Sequence, residues 1–319
     1  MTETAPRDLL LVKSGGAAAL PEWQQGFASL LPDLDVRWWD DPTVPPEAVT
    51  YALVWEPDGG RLAGYPNLRV IFSSGAGVDH ITCDPALPRH LPIVRMASAQ
   101  TAQSVAEYVC FAALGLLRDL PRLLAARDAR RWDMWEGSRT AETVRVGILG
   151  MGNIGARAAR MLRGLGFPVA GWARSAKAMD GIEVVCGDAA LPGFMARTDI
   201  LIGLLPDTAA TRGLLGAERL AWLPHGAGVI NAGRGSLVVI EDLIAALDRG
   251  HLAGAVLDVF DPEPLPPEAP AWSHPRILVT SHVAGFATRS ARAAYVAGVI
   301  AGLARGETPE HLYQPARGY

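Results

Sequence analysis

A glycine-rich stretch in the middle of the chain constrains the fold more than any other feature. Residues 144–149 are apolar and partly β-branched, which predicts a buried strand. Glycines then follow with the spacing Gly-x-Gly-x-x-Gly, and the residues after them have high helix propensity. Such glycines also occur in purely structural turns, but between a strand and a helix they allow a tight turn and close approach of a pyrophosphate. We therefore predict a dinucleotide site at Gly150, Met151, Gly152, Asn153, Ile154 and Gly155.

The end of the next predicted strand, residues 169–172, indicates which dinucleotide binds. An acidic residue about 20 residues after the glycines is typical of NAD sites, because it binds the ribose 2′-hydroxyl. Ala173, Arg174 and Ser175 stand here instead. A guanidinium and a hydroxyl suit a 2′-phosphate, so the prediction is NADPH, with NADH second. The alternative is that Arg174 is only a solvated surface residue.

Length and composition set the broad class of protein. A chain of 319 residues is long for one core and predicts two domains, and a composition that is 50% hydrophobic and 19% charged predicts a globular protein. The formal charge of −4, without a Lys/Arg run, argues against nucleic-acid binding. The longest apolar stretch, residues 109–117, is far shorter than the roughly 20 residues of a membrane span. Three widely separated cysteines predict a reduced, cytoplasmic protein with no metal site.

The first hundred residues predict a small α/β unit with a turn of functional interest. Short apolar strands are expected at residues 9–12, 36–39, 52–55, 70–72 and 93–94. Gly75, Ala76 and Gly77 follow the fourth of these strands, and a turn of small residues exposes backbone N–H groups that can bind a carboxylate. A structural turn is the alternative. We interpret His80, close by, as a satisfied or surface histidine.

Beyond the glycines, buried strands at residues 200–205, 228–231 and 255–259 alternate with helices, which predicts a doubly wound parallel sheet. Ligands of such sheets bind at the carboxyl ends of the strands. The residues after the strands are therefore the candidate site residues: Leu205, Pro206, Thr211, Asn231, Ala232, Gly233, Arg234, Asp258, Glu263, His282, Ala284 and Gly285.

Arg234, Glu263 and His282 together provide the chemistry of a reductase. Hydride transfer to a carbonyl leaves an alkoxide that needs a proton, and histidine can supply one near neutral pH. A neighbouring carboxylate would orient the histidine, and an arginine can bind a substrate carboxylate and polarise the carbonyl. Taken singly, each residue has a structural alternative: Arg234 an ion pair, Glu263 a solvated loop position, His282 a core position.

Four motifs in order show that the chain resembles the D-isomer-specific 2-hydroxyacid dehydrogenases over nearly its whole length. They occupy residues 150–155, 231–235, 257–264 and 281–284. Residues 52–55, 75–79, 172–175 and 316–319 are most similar to the glyoxylate/hydroxypyruvate reductase A branch. Two departures stand out: Ser281 replaces a common proline, and Ala173 replaces the acidic residue of NAD-preferring members.

The resemblance implies a role for each matched residue. Arg234 would bind the carboxylate and carbonyl of a small 2-keto acid, and Glu263 would pair with His282 as the acid/base. The N–H groups of residues 75–77 would bind the substrate carboxylate. Further implied contacts are those of Asp258 with the nicotinamide carboxamide, Thr211 near the adenosine phosphates, and Trp55 as a wall of the substrate pocket.

The resemblance also implies the domain organisation. Residues 1–98 and 287–319 would form a substrate-binding domain and residues 99–286 the dinucleotide-binding domain, both Rossmann-like or flavodoxin-like, with the active site in the cleft between them. A homodimer would form through the helix at residues 102–117. Trp132, Met134 and Trp135 are large apolar groups in a polar stretch, which indicates either an interface or ordinary core.

Two other functions are compatible with the sequence. One is reduction of larger 2-keto acids, such as phenylpyruvate or branched ones, by the same chemistry. The other is a non-catalytic nicotinamide-dependent binding or co-repressor protein, against which the complete set of Arg234, Glu263 and His282 argues.

Arg174→Asp tests the predicted cofactor preference. The change replaces attraction to the 2′-phosphate by repulsion, so we expect NADPH affinity to fall about 10- to 100-fold, since a charge-assisted hydrogen bond contributes roughly 1.5–3 kcal/mol. NADH affinity should change little. Fluorescence titration with both cofactors measures this, and a wild-type preference for NADH would contradict the prediction.

Overall fold

The computed structural model describes residues 7–134 and 139–319, which form two compact units. The first unit falls within Met1–Thr101 and Ala287–Tyr319, and the second is Ala102–Phe286. The strands are β1 (Leu9–Lys13), β2 (Asp35–Trp38), β3 (Val49–Val54), β4 (Val70–Ser73), β5 (Ile93–Val94), β6 (Val146–Leu149), β7 (Val169–Ala173), β8 (Glu183–Cys186), β9 (Ile200–Gly203), β10 (Ala227–Asn231), β11 (Leu252–Leu257) and β12 (Ile277–Val279). The α-helices are α1 (Leu20–Ala28), α2 (Asp79–Thr82), α3 (Ala99–Leu117), α4 (Leu120–Asp128), α5 (Asn153–Gly164), α6 (Leu191–Met195), α7 (Ala217–Leu220), α8 (Ile240–Asp248) and α9 (Arg289–Ala304).

The sheet of the first unit has five parallel strands in the order β2-β1-β3-β4-β5. This is the flavodoxin-like order, in which the chain reverses direction across the sheet between β1 and β3. Trp23 and Phe27 of α1 are buried on one face of the sheet, where α9 also packs. A Cβ on Gly26 would lie 2.9 Å from the Cβ of Ala293, so the missing side chain lets the two helices approach closely.

The sheet of the second unit has seven parallel strands in the order β12-β11-β10-β9-β6-β7-β8. The chain reverses direction between β6 and β9, which is the position where such sheets bind dinucleotides. Helices α3 and α5 cover one face, and α6 and α8 cover the other. The predicted fold class, two Rossmann-like or flavodoxin-like α/β units with a doubly wound sheet in one of them, is confirmed.

The structure adjusts some element boundaries. The strand expected from residue 144 begins at Val146, because residues 141–143 form a 3-10 turn. The edge strand β8 was not expected, since only Val184 and Val185 among its four residues are aliphatic.

Trp132 and Met134 are 89% and 80% exposed, so the core interpretation is wrong for both. Trp135 lies outside the described residues. Among the described residues, every helix is too short or too polar to span a membrane.

Asp199 joins the amino ends of β6 and β9, the two strands at the reversal of the chain. One carboxylate oxygen accepts hydrogen bonds from the backbone N–H and Nε of Arg145, both at 2.8 Å, and the other accepts from Nη2 at 2.9 Å. Burial alone would raise the pKa of Asp199, but the hydrogen bonds and charge of Arg145 outweigh it, and the pKa is lowered. The charged form of Asp199 therefore stabilises the folded unit.

Asp199→Asn should lower the free energy of unfolding by about 1.5–3 kcal/mol at neutral pH, because hydrogen bonds to a charged group are lost. The lowered pKa means that this contribution is present above the unfolded-state pKa and is lost as the pH falls through the folded-state pKa. The variant should therefore lose less stability on acidification than the wild type. Thermal unfolding from pH 7 to pH 3 measures this, with exposed Asp188→Asn as control. Equal acid sensitivity in all three proteins would contradict the prediction.

Candidate active site

The three residues predicted to carry the chemistry follow three neighbouring strands of the seven-stranded sheet. Arg234 follows β10, Glu263 follows β11 and His282 follows β12. Because these strands are adjacent and parallel, their carboxyl ends lie at one edge of the sheet. All three residues belong to the second unit.

His282 and Glu263 form a hydrogen-bonded pair. The distance from His282 Nδ1 to Glu263 Oε2 is 2.7 Å, while Glu263 Oε1 accepts a 2.8 Å hydrogen bond from the backbone N–H of Phe260. The loop therefore orients the carboxylate, and the carboxylate holds a proton on Nδ1. The side chains are 37% and 35% exposed, so solvent can exchange protons with the imidazole. The remaining ring nitrogen, Nε2, is the one that can transfer a proton to a substrate.

Arg234 is held by a turn that contacts the loop of Glu263. The buried Asn231 donates to the carbonyl of Arg234 at 2.9 Å and accepts from the N–H of Gly233 at 3.2 Å. The Nη1 of Arg234 donates to the carbonyl of Gly233 at 2.8 Å. A Cβ on Gly235 would overlap the backbone of Phe260, so glycine allows this turn to pack directly on the loop that carries Glu263.

Asp258 holds the segment that carries His282. This buried carboxylate accepts hydrogen bonds from Thr280 Oγ1 at 2.5 Å and from the N–H groups of Val283 and Ala284, both at 2.9 Å. Its backbone carbonyl accepts from the N–H of His282 at 2.8 Å. The predicted contact of Asp258 with a carboxamide stays a prediction, but within the described residues its carboxylate orients the histidine segment.

The glycine-rich loop has the geometry expected of a phosphate-binding turn. Gly150 has φ +105°, and a Cβ there would lie 2.7 Å from the carbonyl oxygen of Leu204. A Cβ on Gly155 would overlap the carbonyl of Gly150, whereas one on Gly152 would meet nothing within 4 Å. The open side at Gly152 precedes the N-terminus of α5, where unpaired N–H groups and the helix dipole favour an anion. Ile154 is half-buried at the start of this helix, and the side chain of Met151 is buried against Gly171, so Met151 offers only its backbone to a ligand.

Three polar side chains follow β7. Arg174 and Ser175 directly follow the strand, the position predicted for them, and both are exposed. Lys177 was not predicted: its ammonium donates a 2.6 Å hydrogen bond to the carbonyl of Met151 in the glycine-rich loop. The sequence does show a second cation three residues after Arg174. Its contact with the glycine-rich loop could not be predicted, because that contact forms only when the loop after β7 folds towards the glycines.

The predicted cofactor residues of three strand ends come together around Leu205. A Cβ on Gly150 would contact the Leu205 side chain at 3.2 Å, and one on Gly233 would lie 2.9 Å from the Leu205 carbonyl oxygen. The hydroxyl of Thr211 donates to the carbonyl of Pro206 at 2.6 Å and so closes the turn after β9. Ala232, Ala284 and Gly285 lie beyond β10 and β12 on the same edge of the sheet.

In the described part of the first unit, the turn after β4 leaves two of the three N–H groups predicted to bind a carboxylate without a protein acceptor, and the prediction is wrong for the N–H of Gly75, which donates to Ser73 Oγ. Ser73 Oγ donates to the carbonyl of Gly77 at 2.7 Å and accepts from the N–H of Gly75 at 3.2 Å. Within the described residues, the N–H groups of Ala76 and Gly77 donate to no acceptor. These two groups are therefore available to an anion.

Trp55 and His80 stand beside this turn. The Trp55 indole covers Gly75, where a Cβ would lie 2.7 Å from Cζ3, and its centroid is 4.2 Å from that of the His80 imidazole. His80 Nε2 lies 3.4 Å from Ser73 Oγ, so the His80 side chain contacts the turn and supports it. In the described parts of the chain, no group of three or more His, Cys, Asp or Glu residues is arranged to hold a metal ion.

Comparisons with known proteins identify the family. The family model described as D-isomer specific 2-hydroxyacid dehydrogenase, NAD binding domain, matches residues 110–284. The glyoxylate/hydroxypyruvate reductase A of Salmonella paratyphi B is 39% identical over 303 residues, which are 93% of this chain and 96% of that protein.

Solved structures of two similar proteins contain a nicotinamide cofactor. A D-isomer specific 2-hydroxyacid dehydrogenase from Xanthobacter autotrophicus Py2, in complex with NADPH and MES, is 40% identical, with a TM-score of 0.93 over 99% of this chain and 100% of that chain. An NADPH-dependent glyoxylate/hydroxypyruvate reductase from Sinorhizobium meliloti, in complex with NADP and sulfate, is 36% identical, with a TM-score of 0.90 over 98% and 100% of the two chains. The resemblance inferred from the four motifs is confirmed, and the chain belongs to the D-isomer-specific 2-hydroxyacid dehydrogenase family.

Proposed function

We propose that this protein is an NADPH-preferring reductase of small 2-keto acids, which converts glyoxylate to glycolate and hydroxypyruvate to D-glycerate. The observation that carries the proposal is the 2.7 Å pair of His282 and Glu263 at the same sheet edge as Arg234. Relatives named as glyoxylate/hydroxypyruvate reductases, at 36–39% identity over nearly the whole chain, support the substrate class.

The residues present fit NADPH. The open side of Gly152 and the N-terminus of α5 would hold the pyrophosphate, while Arg174, Ser175 and Lys177 would bind the 2′-phosphate. No carboxylate stands at residues 173–175 to repel that phosphate. When bound, the cofactor supplies the hydride that reduces the keto carbon. The NADPH and NADP of the two solved relatives support the same assignment.

The side chains of Arg234, His282 and Glu263 would have separate roles in the reduction. Arg234 would bind the substrate carboxylate and polarise the keto carbonyl, which favours negative charge on the carbonyl oxygen. His282 would donate the Nε2 proton to that oxygen, giving the 2-hydroxy acid and a neutral imidazole. Glu263 keeps the other ring proton on Nδ1 through the 2.7 Å hydrogen bond. Solvent can then return a proton to Nε2, since the ring is partly exposed.

The first unit would supply the specificity for small acids. The N–H groups of Ala76 and Gly77 would bind the substrate carboxylate, and Trp55 would limit the size of the group beyond the carbonyl. The indole packs against Gly75 and His80 beside this turn. A large indole at this position favours small substrates over the larger 2-keto acids.

We also propose that a second copy of the chain covers an apolar surface of the second unit. Phe111 and Leu114 of α3, Leu123 of α4, Trp132 and Met134 are all more than a third exposed, which is unusual for such large apolar side chains. Sedimentation equilibrium should show a dimer, and Trp132→Glu should weaken it.

The three unpaired cysteines support a reducing, cytoplasmic location.

A panel of substrates tests the proposed function. Initial rates of NADPH and NADH oxidation are measured with glyoxylate, hydroxypyruvate and phenylpyruvate. We expect the highest kcat/KM with NADPH and the two small acids, and a gain for phenylpyruvate in Trp55→Ala. Binding of NADPH without turnover of any acid would instead favour the non-catalytic binding protein, and a preference of the wild type for phenylpyruvate would favour the larger substrates.

Arg234→Lys should reduce kcat/KM for glyoxylate about 100-fold or more, because an ammonium cannot make the two parallel hydrogen bonds of a guanidinium to a 2-keto carboxylate. The affinity for NADPH, measured by fluorescence titration, should stay within about 2-fold. A variant that keeps most of its activity would show that Arg234 is not the group that binds the substrate.

Glu263→Gln should lower kcat for glyoxylate reduction about 10- to 100-fold, since positioned acid catalysis contributes roughly 100- to 10,000-fold. Gln has one acceptor oxygen, so it cannot accept from both Phe260 N–H and His282 Nδ1–H as Glu263 does. Exposed Glu268→Gln, in the same region, is the matched control and should retain wild-type kcat. Equal kcat values for both variants would mean that Glu263 does not orient His282.

A further inference from the structure

Two polar residues of α3 are hydrogen-bonded to the segment that carries His282. Ser104 and Tyr108 are four residues apart and therefore lie on one face of the helix. Ser104 Oγ donates to the carbonyl of Ala284 at 2.9 Å and accepts from the N–H of Phe286 at 3.0 Å. The Tyr108 hydroxyl lies 2.7 Å from Thr280 Oγ1. Helix α3 thus holds residues 280–286 at both ends.

The chemistry of the acceptors determines the direction of the hydrogen bonds. Asp258 accepts from two backbone N–H groups, so its carboxylate is the acceptor for the Thr280 hydroxyl as well. A hydroxyl has one proton, and therefore the Tyr108 hydroxyl must donate to Thr280. Burial, opposed in part by the Thr280 hydrogen bond, raises the pKa of Tyr108 to about 12, which keeps it a donor at neutral pH. The order of donation is Tyr108 to Thr280 to Asp258.

This chain of hydrogen bonds ends on the backbone of His282 and of the two residues that follow it. The Asp258 carboxylate accepts hydrogen bonds from the N–H groups of Val283 and Ala284, and the Asp258 backbone carbonyl accepts one from the N–H of His282. His282 has φ +53°, a left-handed conformation that non-glycine residues adopt only where the surroundings hold them in it. From this conformation, Nδ1 reaches Glu263 at 2.7 Å.

We propose that Ser104 and Tyr108 are positioning residues of the reductase that hold His282 in its proton-donating geometry. Tyr108 acts through Thr280 and Asp258, and Ser104 acts through the backbone of Ala284 and Phe286. This proposal rests on the proposed function. Neither residue is assigned the proton transfer: Ser104 is hydrogen-bonded to the backbone of residues 284 and 286, and Tyr108 to the side chain of Thr280. Their effect should therefore be larger on proton transfer than on cofactor binding.

Tyr108→Phe tests the proposal by steady-state kinetics with glyoxylate. We expect kcat to fall about 5- to 30-fold, with KM and the Kd for NADPH within about 2-fold, because a small displacement of an acid slows only the step that uses it. The solvent deuterium isotope effect on kcat should rise, as proton donation becomes more rate-limiting. Thr280→Val should lose at least as much, whereas Thr280→Ser, which keeps the hydroxyl, should restore most of the activity.

Tyr295→Phe is the matched control. Tyr295 is another half-buried tyrosine, whose hydroxyl donates to the carbonyl of Arg95 at 3.0 Å in the first unit. Its removal should leave kcat and the isotope effect within about 2-fold of the wild type. A similar loss of kcat in Tyr108→Phe and Tyr295→Phe would overturn the proposal, since it would show a general loss of stability.

Amide hydrogen exchange of residues 280–286 provides a test that needs no turnover. In the protein without cofactor, Tyr108→Phe and Thr280→Val should speed exchange of this segment about 10-fold, with the glycine-rich loop unchanged. Unchanged exchange would overturn the proposal, as would faster exchange with wild-type kcat. If the wild type reduces no 2-keto acid, the proposed function fails, and exchange still decides whether Tyr108 holds the segment through Thr280.

Discussion

Three neighbouring parallel strands, β10, β11 and β12, end at one edge of a sheet, and the functional residues of the second unit depend on that constraint. Parallel pairing forces the residues that follow each strand to the same edge, although they are far apart in sequence. The turn of Arg234 then packs on the loop of Glu263 through Gly235, and Glu263 binds His282. A guanidinium, a carboxylate and an imidazole are thereby combined without any of them lying in a regular element.

The features that local sequence could predict are those with a local physical cause. Gly150 and Gly155 are required by a turn in which a Cβ has no room, and the spacing of these glycines is visible without the fold. The alternation of apolar strands with helices predicted the parallel sheet of the second unit and the α/β class of the first, because each buried strand is a short apolar run. The placement of Arg234, Glu263 and His282 after strand ends followed from the same pattern.

The features that the sequence did not predict depend on contacts between distant residues. Tyr108 and Thr280 are 172 positions apart, and nothing in either neighbourhood indicates their hydrogen bond. Lys177 reaches Met151 only because the loop after β7 returns to the glycines. Asp258 was predicted as a cofactor contact, yet its three hydrogen bonds with Thr280, Val283 and Ala284 also orient the histidine segment. His80 was interpreted without its contacts to Trp55 and Ser73, which come from the packing of the first unit.

The central claim is that His282 donates the proton in reduction of a small 2-keto acid. The most direct measurement is the initial rate of NADPH oxidation with glyoxylate, for the wild type and His282→Gln side by side, with NADPH affinity measured for both. We predict a kcat lower by about 100- to 10,000-fold in the variant and a Kd for NADPH within about 2-fold. A variant that retains a rate within tenfold of the wild type would contradict the account.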